Sequence, residues 1–196
     1  MNSAASQPAS LAQAPGSALS RLAHRAAAAV SGSVLVALCA HIAIPLWFTP
    51  VPLTMQTFAV LLLGLLLDPG TAASALALYL LEGMAGLPVF SPIGSAGFLH
   101  LMGPTAGYLL AYPAAAALTS GLRRRIGADD FLPSLAAATA GSGLILLAGA
   151  AWLAVLTHKS AGAILALSVA PFLPGDILKM IAAAGAAAGF RRLRRS

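Results

Sequence analysis

Asp176 and Lys179 stand three residues apart, a spacing that places both on one face of a helix. They belong to the stretch Pro171-Phe172-Leu173-Pro174-Gly175-Asp176-Ile177-Leu178-Lys179, and long runs of alanine and leucine flank it. An ionisable pair in so apolar a setting is expensive, which marks it as a site where polar chemistry is needed. The lysine can neutralise a carboxylate or donate to a carbonyl, and the aspartate can accept from N–H groups. The two prolines set where the helix begins, so its positive end faces whatever the pair meets. Plainer roles compete. Asp176 in a first turn is also a favourable helix-terminus charge, and Lys179 could form a structural ion pair with Asp176 or Glu82.

Other polar residues interrupt the apolar runs. Thr54, Gln56 and Thr57 sit at the mouth of one run. Thr54 suits an N-cap, whereas Gln56 does not and is a candidate ligand group. Tyr79 and Glu82 lie one turn apart. Glu82 could face a ligand, pair with Lys179, or reach water at an interface. Residues 87–103 form a Gly/Pro-punctuated loop containing Phe90, Phe98 and His100. Such a loop, free of formal charge, is costly in open water, so it is expected to fold back as a lid. Phe90, Phe98, Met102 and Tyr108 can supply apolar walls for a small ligand with hydrogen-bonding groups at one end or both.

The elements that position these residues follow from composition. Hydrophobic residues make up 59% of the 196 and charged residues 8%, against about a quarter charged in soluble domains. That is too little polar surface for a soluble fold. The apolar runs are continuous rather than alternating, so the spans are helices and not barrel strands. An all-α membrane protein with six transmembrane helices is predicted. Helix 1 covers about 26–48, helix 2 ends at Leu67, and helix 3 covers 71–86. Helix 4 opens at Gly103-Pro104 and ends before Arg123, helix 5 covers 133–157, and helix 6 covers 175–190. Asp68-Pro69-Gly70 and residues 127–130 are turns. Residues 160–170 are apolar but too short to cross, and read as a re-entrant or lid segment before helix 6. Residues 1–25 are expected to be a disordered cytoplasmic tail, 26–190 the membrane domain, and 191–196 a basic cytoplasmic tail.

The net charge of +6 is unevenly placed. Arg21, Arg25, Arg123, Arg124, Arg125, Arg191, Arg192, Arg194 and Arg195 fall on one side of a six-span topology, and Lys159 alone on the other. This positive-inside bias puts both termini in the cytoplasm, and it accounts for the basic clusters without nucleic acid. Small residues at Ala29, Ser33, Ala37 and Ala40 form a stripe on helix 1; it could admit a close helix partner, or simply reflect the abundance of alanine. One cysteine, Cys39, and four scattered histidines make neither a disulfide nor a metal centre. No phosphate-binding loop of the G-x-x-x-x-G-K-[ST] type occurs, so the chain does not hydrolyse ATP itself. No nucleophilic triad or paired carboxylates lie at membrane depth, which argues against an enzyme, and no cofactor is implied.

Four motifs occur in order: Val51-Pro52-Leu53-Thr54-Met55-Gln56-Thr57, then Tyr79-Leu80-Leu81-Glu82-Gly83-Met84-Ala85-Gly86-Leu87-Pro88-Val89-Phe90, then Gly103-Pro104-Thr105-Ala106-Gly107-Tyr108, and finally the 171–179 stretch. In order and spacing they resemble the BioY family over about residues 27–190. Its members are biotin-specific substrate-binding S components of energy-coupling-factor (ECF) vitamin transporters. The resemblance implies a six-helix protein of the bacterial plasma membrane that captures biotin from the outer face. It implies an ECF coupling protein and ATPase subunits as partners, with Ala29, Ser33 and Ala37 as the docking stripe. It also implies that Asp176, Lys179 and the loop after helix 3 form the biotin pocket, Asp176 accepting from the ureido N–H groups and Lys179 binding an oxygen. Family members often carry Asn or Arg in the loop after Phe90. Here the loop reads Ser91-Pro92-Ile93-Gly94-Ser95, leaving His100, Lys159 or a backbone amide for the carboxylate. Another vitamin as ligand, a helix-locking role for the charged pair, and a homo-oligomer stay open at this point.

Overall fold

The computed structural model describes residues 15–127 and 130–195. It is mainly helical: α1 Pro15–His41, α2 Gln56–Leu66, α3 Pro69–Met84, α4 Ala106–Ile126, α5 Phe131–Thr157, α6 Ala161–Ser168 and α7 Leu173–Arg195. A short 3₁₀ helix, Gly97–Met102, lies in the loop between α3 and α4. Two-residue strands β1 (Ala43–Ile44) and β2 (Leu53–Thr54) pair antiparallel, with Ala43 opposite Thr54 and Ile44 opposite Leu53.

Among the described residues, three helices are long and apolar enough to cross a membrane: Ala18–His41, Phe131–Thr157 and Leu173–Leu193. The 11 residues of α2 rise only about 16 Å, too little to span a bilayer unaided. Large apolar side chains such as Leu38, Leu147, Val155 and Leu178 point outward, as hydrocarbon rather than water as solvent favours.

Several boundaries differ from the sequence expectation. α1 begins at Pro15, so residues 15–25, expected in a disordered tail, are helical; residues 1–14 lie outside the described residues. α1 also stops at His41 rather than Phe48, because Pro45, Pro50 and Pro52 cannot continue a helix and the chain turns into the β1–β2 ladder instead. Trp47 at this turn is 96% exposed. α7 runs to Arg195 and takes up most of the expected basic tail. At 23 residues it is about 35 Å long, whereas the expected 16 would give about 24 Å. The 127–130 turn is described at Gly127 and Asp130 only; Gly127 takes a left-handed φ of 70° and closes α4 through its N–H to the Arg123 carbonyl.

α4 packs most extensively on α5, α1 lies along α3, and α7 rests on both α2 and α5. One core joins Val36, Val60, Leu76, Tyr79, Leu109, Tyr112 and Ile145 with the loop residues Phe90 and Phe172. A second, built from smaller side chains, joins Leu61 and Leu65 of α2, Ala137 and Ala138 of α5, and Ala183, Ala184 and Ala187 of α7. Asp68 caps α3: its carboxylate accepts from the Thr71 N–H at 3.2 Å and the Thr71 hydroxyl at 2.6 Å. The Thr71 hydroxyl, the backbone bond and the nearby Arg25 and Arg124 hold the Asp68 carboxyl below its usual range, against the opposing effect of partial burial.

Candidate ligand-binding site

A cavity opens where α2, α4, α5 and the start of α7 meet the segment before α2 and the segment after α3. It holds about 500 Å³ of empty space, its open mouth included. α7 begins at Leu173, with Pro174 in the first turn where a missing N–H costs nothing. That start puts Asp176 and Lys179 one turn apart on the cavity wall. Lys179 Nζ donates to Asp176 Oδ1 at 3.0 Å. The residues are only 4% and 7% exposed, so this is a buried pair, whose charges cancel within the wall. Nζ retains further donor capacity. The alternative partner for Lys179, Glu82, is engaged elsewhere: it accepts from the Ser33 hydroxyl on α1.

The second wall is a network of neutral polar groups. Gln56 opens α2 and is buried. Its Nε2 donates to the Tyr79 hydroxyl at 2.6 Å, and its Oε1 accepts from Thr54 Oγ1 at 3.0 Å and from the Tyr112 hydroxyl at 3.4 Å. Three elements thus fix one amide, which makes the wall rigid as well as polar. Thr54 is not the helix cap: Met55 occupies that position without a side-chain bond, because Thr54 lies in β2 and spends its hydroxyl on Gln56.

The third wall comes from the 85–105 segment. Gly94 and Gly97 adopt left-handed φ angles of 109° and 63°, which lets the chain double back. His100 stacks on Phe90 with ring centroids 5.0 Å apart at 26°, and Phe90 meets Tyr79 edge-on at 5.4 Å. Gly83 leaves the space that the Phe90 ring fills. His100 Nδ1 is 2.6 Å from the Ser95 carbonyl oxygen. Tyr108 lines the cavity beside Phe172 at 6.1 Å, and its hydroxyl donates to the Ser168 carbonyl at 2.7 Å. Thr49 does the same to the neighbouring Leu167 carbonyl at 2.7 Å. Two hydroxyls therefore grip the C-terminal end of α6.

Of the residues singled out in the sequence, Asp176, Lys179, Gln56, Thr54, Thr57, His100 and Tyr108 line this one cavity. Tyr79 and Phe90 stand behind it and brace its lining. Glu82 is not part of the lining. Phe98 and Met102, expected as walls, are exposed, because the 3₁₀ helix turns His100 and Leu101 inward instead. Lys159 is exposed and off the lining. In the small-residue stripe Ala29 and Ser33 are buried and Ala37 half-buried, and Ser33 meets Glu82 of α3. The outward face of α1 is Val30, Val34 and Leu38. Phe172, Thr105 and Ser91, quoted in the sequence only as members of motifs or of the loop, also line it, and Tyr112 was missed altogether. Tyr112 carried a usable signal, since it lies four residues after Tyr108 and so on the same helical face.

The structure is a helical bundle with an open-mouthed cavity, part polar and part apolar, of a size to hold a small molecule. The fold matches the crystal structure of the S component for biotin from an ECF-type ABC transporter, with a TM-score of 0.80 at 24% identity, covering 90% of this chain and 94% of that one. The BioY family model matches residues 8–196. The chain is 40% identical to a probable biotin transporter BioY of Pyrococcus horikoshii over 66% of this chain and 74% of the relative. It is 34% identical to the biotin transporter BioY of Thermotoga maritima, over 82% and 92%. It is also 35% identical to the biotin transporter BioY2 of Lactococcus lactis, over 76% and 80%. The chain belongs to the BioY family.

Proposed function

We propose that this chain captures biotin in the cavity and serves biotin uptake as the substrate-binding subunit of an ECF-type transporter. In this reading α1, α2, α3, α4, α5 and α7 are the six spans, with α2 and α3 short. Both termini face the cytoplasm, where nine arginines gather. The cavity then faces outward, the 85–105 segment acts as its lid, and α6 is the re-entrant piece beside it. Biotin enters from the outer face, and a coupling membrane protein with ATPases drives its delivery. The chain has no nucleotide-binding loop of its own, which is why such partners are needed.

The observation that carries the reading is the buried Asp176–Lys179 pair on the cavity wall. A fully internal ion pair contributes little net stability compared with apolar packing, so its presence asks for a function. The ureido ring of biotin offers N–H groups to Asp176, and Lys179 binds an oxygen of the ligand. Gln56, Thr54 and Tyr108 furnish the remaining polar lining, and Phe172, Leu109 and Ile145 the apolar part. The test is equilibrium binding of biotin to the detergent-purified protein beside Asp176→Asn and Lys179→Ala. Tight binding by the wild type, weakened about 100-fold or more by either change, is expected. A well-folded wild type that does not bind biotin overturns the proposal.

A further inference from the structure

The cavity is lined by two side chains that can carry positive charge, Lys179 on α7 and His100 on the 3₁₀ helix. Lys179 is already paired with Asp176 at 3.0 Å, and both are buried. A free carboxylate brought to that ammonium would set two anions on one cation in a desolvated site, which is costly. A neutral urea-like group suits the pair better, its N–H toward Asp176 and its carbonyl toward Lys179. A ligand with such a head and a carboxylate tail therefore needs another group for the tail.

His100 is buried and held in place twice, by stacking on Phe90 and by the 2.6 Å contact from Nδ1 to the Ser95 carbonyl. A carbonyl only accepts, so Nδ1 carries the hydrogen and the tautomer is fixed. In the neutral ring Nε2 then offers only a lone pair, which repels a carboxylate. In the protonated ring Nε2 becomes a charged donor. This imidazole can hold a carboxylate only by taking up a proton.

We infer that His100, as the imidazolium, receives the carboxylate of the ligand, so that capture of an acid ligand is linked to uptake of one proton. The inference rests on the biotin reading and names the residue that binds the other end of that ligand. With His100, the cavity is lined by Tyr108 and Tyr112 of α4 and by Asp176 and Lys179 of α7, and α3, which packs against the 3₁₀ helix, carries Tyr79 and Glu82. Imidazole is the side chain whose charge ordinarily changes between about pH 5 and pH 8. Affinity gained by protonation is present at the acid end of that window and is lost as the pH rises.

The experiment compares biotin with biotin amide, which keeps the ring and lacks the charge, on the full-length protein at about pH 6 and about pH 8. Biotin should bind the wild type roughly 10- to 30-fold more tightly at the lower pH, while the amide shows no such change. His100→Gln should bind biotin weakly at both pH values and abolish the difference. An amide with the same pH profile as biotin overturns the inference without any variant, as does a His100→Gln protein that keeps the wild-type profile. In either case, tight binding of biotin leaves the capture reading standing. Failure of the wild type to bind either compound at any pH overturns both.

Discussion

Along α7, the first two turns carry Asp176 and Lys179 into a cavity, whereas the turns from Ala183 to Ala187 carry only methyl groups into a seam with α2 and α5. At the cavity end the neighbours are hydroxyls, an amide and aromatic rings, held at hydrogen-bond distance. At the other end the neighbours are Leu61, Leu65, Ala137 and Ala138, packed so closely that Gly141 has no room for a methyl group beside Thr119. Arg191 closes that seam, donating to the Leu65 carbonyl at 3.2 Å and to the Ser134 hydroxyl at 2.7 Å. The contrast teaches that one helix separates two tasks along its length. The seam holds the bundle, and the first turns are left free to keep a costly charged pair.

Breaking the pair from one side should give the largest effect. Lys179→Ala leaves Asp176 as an uncompensated buried charge and should cost about 3–5 kcal/mol of stability, read from unfolding in detergent, along with loss of biotin binding. The double change Asp176→Leu with Lys179→Met should lose binding equally while restoring stability to within about 1 kcal/mol of wild type. If the double variant is as unstable as the single one, the pair is a helix lock and the division of tasks along α7 fails.

Next come the glycines. Gly141→Ala forces a methyl group against Thr119 and Leu61 in the seam, and should cost about 1–3 kcal/mol with the biotin Kd of the folded protein unchanged. Gly149→Ala meets the Tyr108 ring instead. It should cost a similar amount and also weaken binding, because Tyr108 lines the cavity. Equal effects of both on Kd would show that the two regions are not independent. Arg191→Ala removes two hydrogen bonds from a charged donor and should lower stability by about 1–2 kcal/mol, again with Kd unchanged.

The smallest effect belongs to neither region. Asp68→Ala removes the α3 cap and should cost about 1 kcal/mol. The Asp68 carboxyl is held below its usual range chiefly by Thr71. Its contribution to stability is therefore present above the unfolded-state value near 4 and is lost as the pH falls through the lowered folded-state value. A wild-type stability profile that matches Asp68→Ala at neutral pH would contradict this.

The sequence was most informative where one residue type was out of place. Asp176 and Lys179 stand out because charge in apolar sequence has few harmless explanations, and Gln56 because it is a poor helix cap. The helical architecture was readable from continuous apolar runs, since every backbone group in a bilayer needs an internal partner. Partners across the fold were not readable. Glu82 has three plausible roles by sequence, and the packing of α1 on α3 supplies a partner outside all three, the Ser33 hydroxyl. Thr54 looked like a cap because the β1–β2 ladder is two residues long and leaves no periodic signal. The stripe of Ala29, Ser33 and Ala37 was legible as a packing face, but pattern alone does not say whether the helix it meets belongs to the same chain. Tyr112 passed unnoticed because tyrosine in an apolar helix is unremarkable until its hydroxyl is found on Gln56.

The eight residues of α6 are too few for a helix to persist by its own hydrogen bonds. Its order depends on the hydroxyls of Thr49 and Tyr108, which hold its last carbonyls. One of those hydroxyls belongs to a cavity wall, so under the proposed capture role occupancy and the persistence of α6 share a term in the free energy. Linkage is reciprocal: whatever steadies Tyr108 lowers the local opening of residues 161–168 by the same amount, and whatever frays α6 loosens the ligand. On the proposed capture role, amide exchange in this one helical segment is expected to slow when biotin is added, as hydrogen-exchange measurement would show.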